Sequence, residues 1–167
     1  MKKITRKEKK RLIIIFGVVL FIGLLLVLCR AFVDDTRDVV RQYAYGMRTY
    51  NAEKIVDLYK EEMIFESYES RKDMVKDYEE MFQELKDDYY RINDFEINDN
   101  YKIYEGEELK YQKDKLKEYY GIEKKIVEEI RLYTITFDCN DDGEAKETEQ
   151  SVLVAKIDGH WYYIGNE

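Results

Sequence analysis

Residues 152–165, VLVAKIDGHWYYIG, decide how the rest of the chain is read. Asp158-Gly159 is a two-residue turn of the kind that accepts positive φ at both positions. It folds a strand predicted over 148–157 back on itself through His160-Trp161-Tyr162-Tyr163-Ile164. A second long strand is predicted at 126–139, joined to the first by the acidic turn Asn140-Asp141-Asp142-Gly143. Further upstream, 89–97 is rich in Tyr, Ile and Phe and reads as a strand. The turn Asn98-Asp99-Asn100 leads from it into 101–104. Between these strands lies a polar helix, 107–120, whose Leu109, Leu116, Tyr119 and Tyr120 give it a narrow apolar edge and whose stop is Gly121.

The first part of the domain is helical. Asp35 or Thr36 can cap a helix in which Val39, Val40, Tyr43, Ala44, Met47 and Tyr50 recur at three- and four-residue spacing. Asn51 offers a second cap, and Ile55, Val56 and Tyr59 give a short helix over 52–60 one apolar side. The stretch 63–68 fits neither period. Ser70, with Asp73 three residues on, then starts the most regular helix in the chain. Its stripe Met74, Val75, Tyr78, Met81, Phe82 and Leu85 reads as core. Helices first and mostly antiparallel strands after them, without strand-helix-strand alternation, predict an α+β fold.

With these elements in place, DVVRQYAYGMRTYNAEKIVDLY at 38–59, the second long helix and the closing VLVAKIDGHWYYIG together resemble the nuclear-transport-factor-2-like, or cystatin-like, superfamily. The likeness is in particular to its small bacterial extracytoplasmic members, and it covers nearly all of 35–165. It implies a cone in which a curved, mostly antiparallel sheet wraps a long helix. It also implies a binding or assembly role without catalysis, in some members outside a single membrane helix. The charged helix at 107–120 departs from that pattern and bears on whether the mouth of the cone is open. If it is open, Tyr43, Met47, Phe82 and Trp161 are the expected lining.

Ahead of this domain lies LIIIFGVVLFIGLLLVLC, residues 12–29, without a charge or a strong polar group. At about 1.5 Å per residue it covers about 27 Å, close to a hydrocarbon core of roughly 30 Å. Lys2, Lys3, Arg6, Lys7, Lys9, Lys10 and Arg11 precede it against the single acid Glu8. The positive-inside bias predicts a basic cytoplasmic N-terminus at 1–11, a transmembrane signal anchor at 12–33 and an extracytoplasmic domain at 34–167. A cleaved leader is the first alternative, but its best cut site, Cys29-Arg30-Ala31, puts Arg beside the cut. A lipoprotein is the second; Leu26 stands three residues before Cys29, but Leu28 is large where a small residue is expected. Gly17 and Gly23 lack the four-residue spacing that brings membrane helices together.

Charge and cysteine usage narrow the function classes. Residues 12–167 hold 21 basic against 35 acidic groups, a net charge of −14 that repels nucleic acid and anionic head groups. With the apolar run at 12–29, the expected partners are the membrane itself and other membrane or envelope proteins, with no nucleic acid and a small ligand as the alternative. Cys29 and Cys139 are too far apart in the chain's organisation to suggest a disulfide framework. Proline is absent, so no stiff or flexible linker separates the hydrophobic run from the first helix.

The candidate chemistry is sparse. Asp138-Cys139-Asn140-Asp141-Asp142-Gly143 with Glu149 matches a calcium-loop pattern, yet strand-like sequence flanks it and Lys146 stands where a ligand is usual. An acidic hairpin turn is the preferred reading, with a weak calcium site as the other. His160 is the only histidine and reads as a solvated hairpin flank. Ser67, Ser70 and Ser151 lie in no nucleophile-elbow motif. No catalytic, cofactor-binding or metal-binding residue is predicted. The sixteen tyrosines, spread over most elements, read as half-buried strand and helix residues. The expected role is a non-catalytic assembly or scaffold subunit at the bacterial cell envelope; small-molecule or peptide binding in the cone cavity is the alternative, and an enzyme of the same fold comes third.

Overall fold

The computed structural model describes residues 36–88 and 90–167. The hydrophobic run at 12–29, the basic segment before it and the signal anchor predicted at 12–33 lie outside the described residues. Among the described residues no helix is long and apolar enough to cross a membrane.

Four helices come first: α1 Thr36–Thr49, α2 Ala52–Val56, α3 Glu61–Ser67 and α4 Arg71–Asp87. Strands β1 Arg91–Ile97 and β2 Lys102–Ile103 follow, then α5 Gly106–Tyr120, β3 Val127–Asp141, β4 Glu144–Ile157 and β5 His160–Asn166. The antiparallel sheet runs β1-β3-β4-β5, with β2 also pairing with β3. The chain is α+β, with helices packed on an antiparallel sheet, as its element order predicts.

The corner between α1 and α2 turns on Gly46, Tyr50 and Asn51. Tyr50 adopts a left-handed φ of 52°, which lets the Asn51 amide donate to the Gly46 carbonyl at 2.9 Å and close α1. The Asn51 side chain then accepts from the Lys54 amide at 2.9 Å and opens α2. Gly46 makes the corner tight: a Cβ there would stand 2.6 Å from Ile55 Cγ1. Ser70 caps α4 as its spacing predicts, accepting from the Asp73 amide at 3.3 Å. At the end of α5, Gly121 at φ 65° brings the Ile122 amide to the Leu116 carbonyl at 3.3 Å, and both side chains enter one core.

Several boundaries differ from the sequence reading. The helix expected over 52–60 stops at Val56, because the chain turns so that the Leu58 carbonyl can accept from the Tyr163 amide at 3.0 Å on the outer side of β5. The stretch 63–68 falls largely within α3. Tyr90 lies between α4 and β1, its amide bonded back to the Leu85 carbonyl at 2.9 Å, and β1 starts at Arg91. The β3–β4 hairpin runs further than expected, leaving only Asp142 and Gly143 in the turn, at φ 48° and 88°.

Both faces of the sheet are covered near its centre. On one face Tyr133, Ile135, Phe137, Val152, Val154 and Tyr163 meet Val40, Tyr43 and Ala44 of α1, Ile55 of α2 and Phe82 of α4. On the other, Ile130, Leu153, Ala155, Ile157 and Ile164 meet Leu116 of α5 and Met63 of α3. Strand residues of alternate parity thus feed two cores. The polar helix predicted at 107–120 thus forms as α5 and covers the second face together with Met63 of α3.

Candidate functional site

Where α3, α4 and the end of α5 approach one another they leave a cleft of about 340 Å³. Its aromatic walls are Tyr59, Tyr68, Tyr78 and Tyr120, and three methionines, Met63, Met74 and Met81, fill the space between the rings. Polar groups enter from Ser67 and Asp77 alone. Helical spacing makes this arrangement: Met74, Tyr78 and Met81 stand four and three residues apart on α4 and share one side of it. Met63 and Ser67 do the same on α3.

The cleft rests on a hydrogen-bonded tyrosine floor. Tyr59 and Tyr78 share a hydroxyl–hydroxyl bond of 2.9 Å. Tyr59 meets Tyr163 edge to face with centroids 4.9 Å apart, and Tyr163 stacks on Tyr43 at 4.6 Å. The Tyr163 hydroxyl donates to Asn166 Oδ1 at 2.9 Å, and Asn166 Nδ2 donates to the Tyr43 hydroxyl at 3.2 Å. Burial pushes the Tyr59 and Tyr163 phenols well above their ordinary range and Tyr78 up to about 12. Burial also raises Tyr68, with the Asp77 carboxylate as the second cause. These phenols are neutral hydrogen-bonding groups over the physiological range, poor at exchanging protons with a substrate.

The residues expected to line a cone mouth are not brought together as one. Tyr43 and Phe82 are buried in the first core at 2% and 1% exposure, with Met47 and Trp161 packed half-buried against it. Trp161 lies 4.7 Å from the Arg131 guanidinium. The tyrosines, read as dispersed over most elements, do form a cluster, because Tyr43, Tyr59, Tyr78 and Tyr163 converge from distant positions. The α4 stripe is only partly core: Met74 and Phe82 are buried, whereas Tyr78 and Met81 are half-buried and line the cleft. The signal that could have shown this was the recurrence of Met and Tyr at close spacing over 59–81 (Tyr59, Met63, Tyr68, Met74, Tyr78, Met81).

The calcium-loop pattern is a β-hairpin. Asp138 stands opposite Glu147, and Glu149 opposite Thr136, so the would-be ligands are strung along a ladder and do not converge. Lys146 pairs with Asp141 at 3.3 Å. Among the described residues no group of three or more His, Cys, Asp or Glu is placed to hold a metal ion. His160 is exposed opposite Ile157. Cys139 is buried, and the Tyr90 hydroxyl donates to its sulfur at 2.8 Å.

A second, larger cleft of about 700 Å³ lies by the β3–β4 turn and is lined by residues of both charges, among them Lys86, Arg91 and Asp142. Its aromatic content is limited to Tyr50 and Tyr90, and the Lys86 ammonium already covers the Tyr50 ring at 4.9 Å. The tyrosine–methionine cleft is therefore the better formed site. No protein-family model, curated protein or solved structure matches this chain.

Proposed function

We propose that this chain is a single-pass, membrane-anchored binding module without catalytic activity, whose domain at 34–167 stands outside the cell membrane and takes an apolar or aromatic group into the tyrosine–methionine cleft. The observation that carries this reading is the cleft's composition: four phenol rings and three thioethers around about 340 Å³, with two polar side chains to orient a guest. Methionine adapts its shape to a ligand, and tyrosine presents an apolar body with a polar tip. The anchor and its orientation rest on the apolar run at 12–29 and the basic residues before it. The cystatin-like cone is the fold we favour, on the helix pair at 38–59 and the closing Asp158-Gly159 hairpin.

The test is saturation-transfer NMR on the full-length protein in maltoside micelles with p-cresol as the probe. Signal transfer in the wild type, lost in Ser67→Trp with Tm unchanged, is the expected result, because Ser67 is an exposed residue at the cleft wall. Transfer that survives Ser67→Trp, or none in the wild type, overturns the reading.

A second reading, assembly with other envelope proteins, is favoured by Phe65. This ring on α3 is 54% exposed and borders a shallow depression with Tyr162 of β5. Membrane proteins that co-purify with the wild type and are lost with Phe65→Glu support assembly; an unchanged set counts against it.

A further inference from the structure

Asp77 is the single charged side chain lining the tyrosine–methionine cleft, and no basic residue lines it. Lys76, its immediate neighbour, pairs with Glu80 at 3.0 Å, and Arg71, at the start of α4, pairs with Asp57. Asp77 itself has no ion pair among the described residues. Asp77 and Tyr68 line the same cleft, and after burial the carboxylate is the next cause that raises that phenol. The faces of aromatic rings carry negative potential, so Tyr59, Tyr68, Tyr78 and Tyr120 add to the carboxylate where a cation is concerned.

We infer that this cleft binds an organic cation with methylated nitrogen, a quaternary or trimethylated ammonium ion, its methyl groups against the rings and its charge toward Asp77; this assignment rests on the cleft being the binding site proposed above. Other guests fit the lining less well. An anion meets a carboxylate and no base. A bare divalent metal needs several oxygen ligands and meets one carboxylate. A neutral apolar guest fills the space but leaves the carboxylate's charge unanswered. A methylated ammonium ion is large, weakly hydrated and cationic, and so uses rings, thioethers and carboxylate together. The same chemistry is found in free methylated amines and in the choline head groups of lipids.

The experiment is isothermal titration of the full-length protein in maltoside micelles with choline, and separately with its uncharged isostere 3,3-dimethylbutan-1-ol. Choline is expected to bind at least tenfold more tightly than the isostere. Asp77→Asn should weaken choline about tenfold while leaving the isostere unchanged. Tyr68→Phe, which keeps the ring, should hold choline binding within about twofold, and Tyr68→Leu should weaken it about fivefold, in keeping with the usual size of cation–ring attraction. Glycerophosphocholine binding as tightly as choline assigns the site to a lipid head group; choline binding alone assigns it to a free amine. Equal affinity for choline and the isostere, both abolished by Ser67→Trp, overturns the cation assignment and leaves the cleft as a binding site. Choline binding that ignores Ser67→Trp overturns the cleft itself. No binding of either probe overturns the cation assignment alone, since the cleft is judged separately on p-cresol.

Discussion

Tyr43 and Tyr163 stack with their ring centroids 4.6 Å apart and their planes 22° from parallel, joining the first described helix to the last strand. Both are buried, and Asn166 bonds to both hydroxyls. Tyr163→Ala removes the stack, the edge contact with Tyr59 and the partner of Asn166. It should cost about 3–5 kcal/mol, the range of large aromatic truncations. Tyr163→Phe keeps the ring and should cost about 1 kcal/mol for the lost hydrogen bond. Urea denaturation of the two variants checks the difference.

Alkaline pH should destabilise the domain in a defined window. The folded state holds the Tyr78 phenol at about 12 against an ordinary 10.0, and it raises Tyr59 and Tyr163 as well, in each case chiefly by burial. A raised phenol pKa means that the folded state favours the protonated form. The associated stability is complete below pH 10 and is lost as pH climbs from there through about 12. Tm measured from pH 8 to 12 should be flat to about 10 and then fall, with part of the tyrosinate absorbance appearing only on unfolding.

Gly46→Ala should destabilise although alanine favours helices by about 1 kcal/mol over glycine. The added methyl would meet Ile55 Cγ1 at 2.6 Å, and this atom sits near the backbone of a fully buried residue that has little room to yield. A net loss of about 1–3 kcal/mol is expected, the range for overpacked cores. A more stable Gly46→Ala variant in thermal melts would show that the α1–α2 corner is looser than described.

The caps give smaller and separable effects. Asn51→Ala and Ser70→Ala each remove a side chain that accepts a first-turn amide, and each should cost about 1 kcal/mol. They sit in different helices with different partners, so the double variant should equal the sum of the two in chemical denaturation.

How much of this was readable from the chain depends on the range of the interaction concerned. The caps at Asn51 and Ser70, the stop at Gly121 and the Asp158-Gly159 turn are set by bonds within a few residues, and each occurs where the sequence puts it. Val56 ends α2 for a reason 105 or so positions away, roughly the span of the domain, since the backbone after it bonds to Tyr163. The α5 edge of Leu109, Leu116, Tyr119 and Tyr120 reads as apolar, although Tyr119 is exposed in the fold. That it would cover the second sheet face depended on the parity of Ile130, Leu153 and Ala155 in strands not yet paired. The candidate cleft was the least legible part. Met74 and Phe82 share a helical stripe with Tyr78 and Met81, and only the approach of α3 and α5 decides which of the four is sealed and which borders open space.

The bond from Asn166 to Tyr43 spans 123 positions and has a consequence for synthesis. A ribosome releases α1 well before β4 and β5, two of the strands on which it packs, have left the exit tunnel. Until they arrive, Val40, Tyr43 and Ala44 can meet α2, α4 and β1 but lack Val152, Val154 and Tyr163, and part of the apolar stripe stays uncovered. The β3–β4 hairpin, local in sequence, can form as soon as it emerges, whereas docking of α1 waits for the final residues. A chain cut short before Tyr163 therefore lacks the ring that stacks on Tyr43 and leaves that side of α1 uncovered, a substrate for chaperones and proteases.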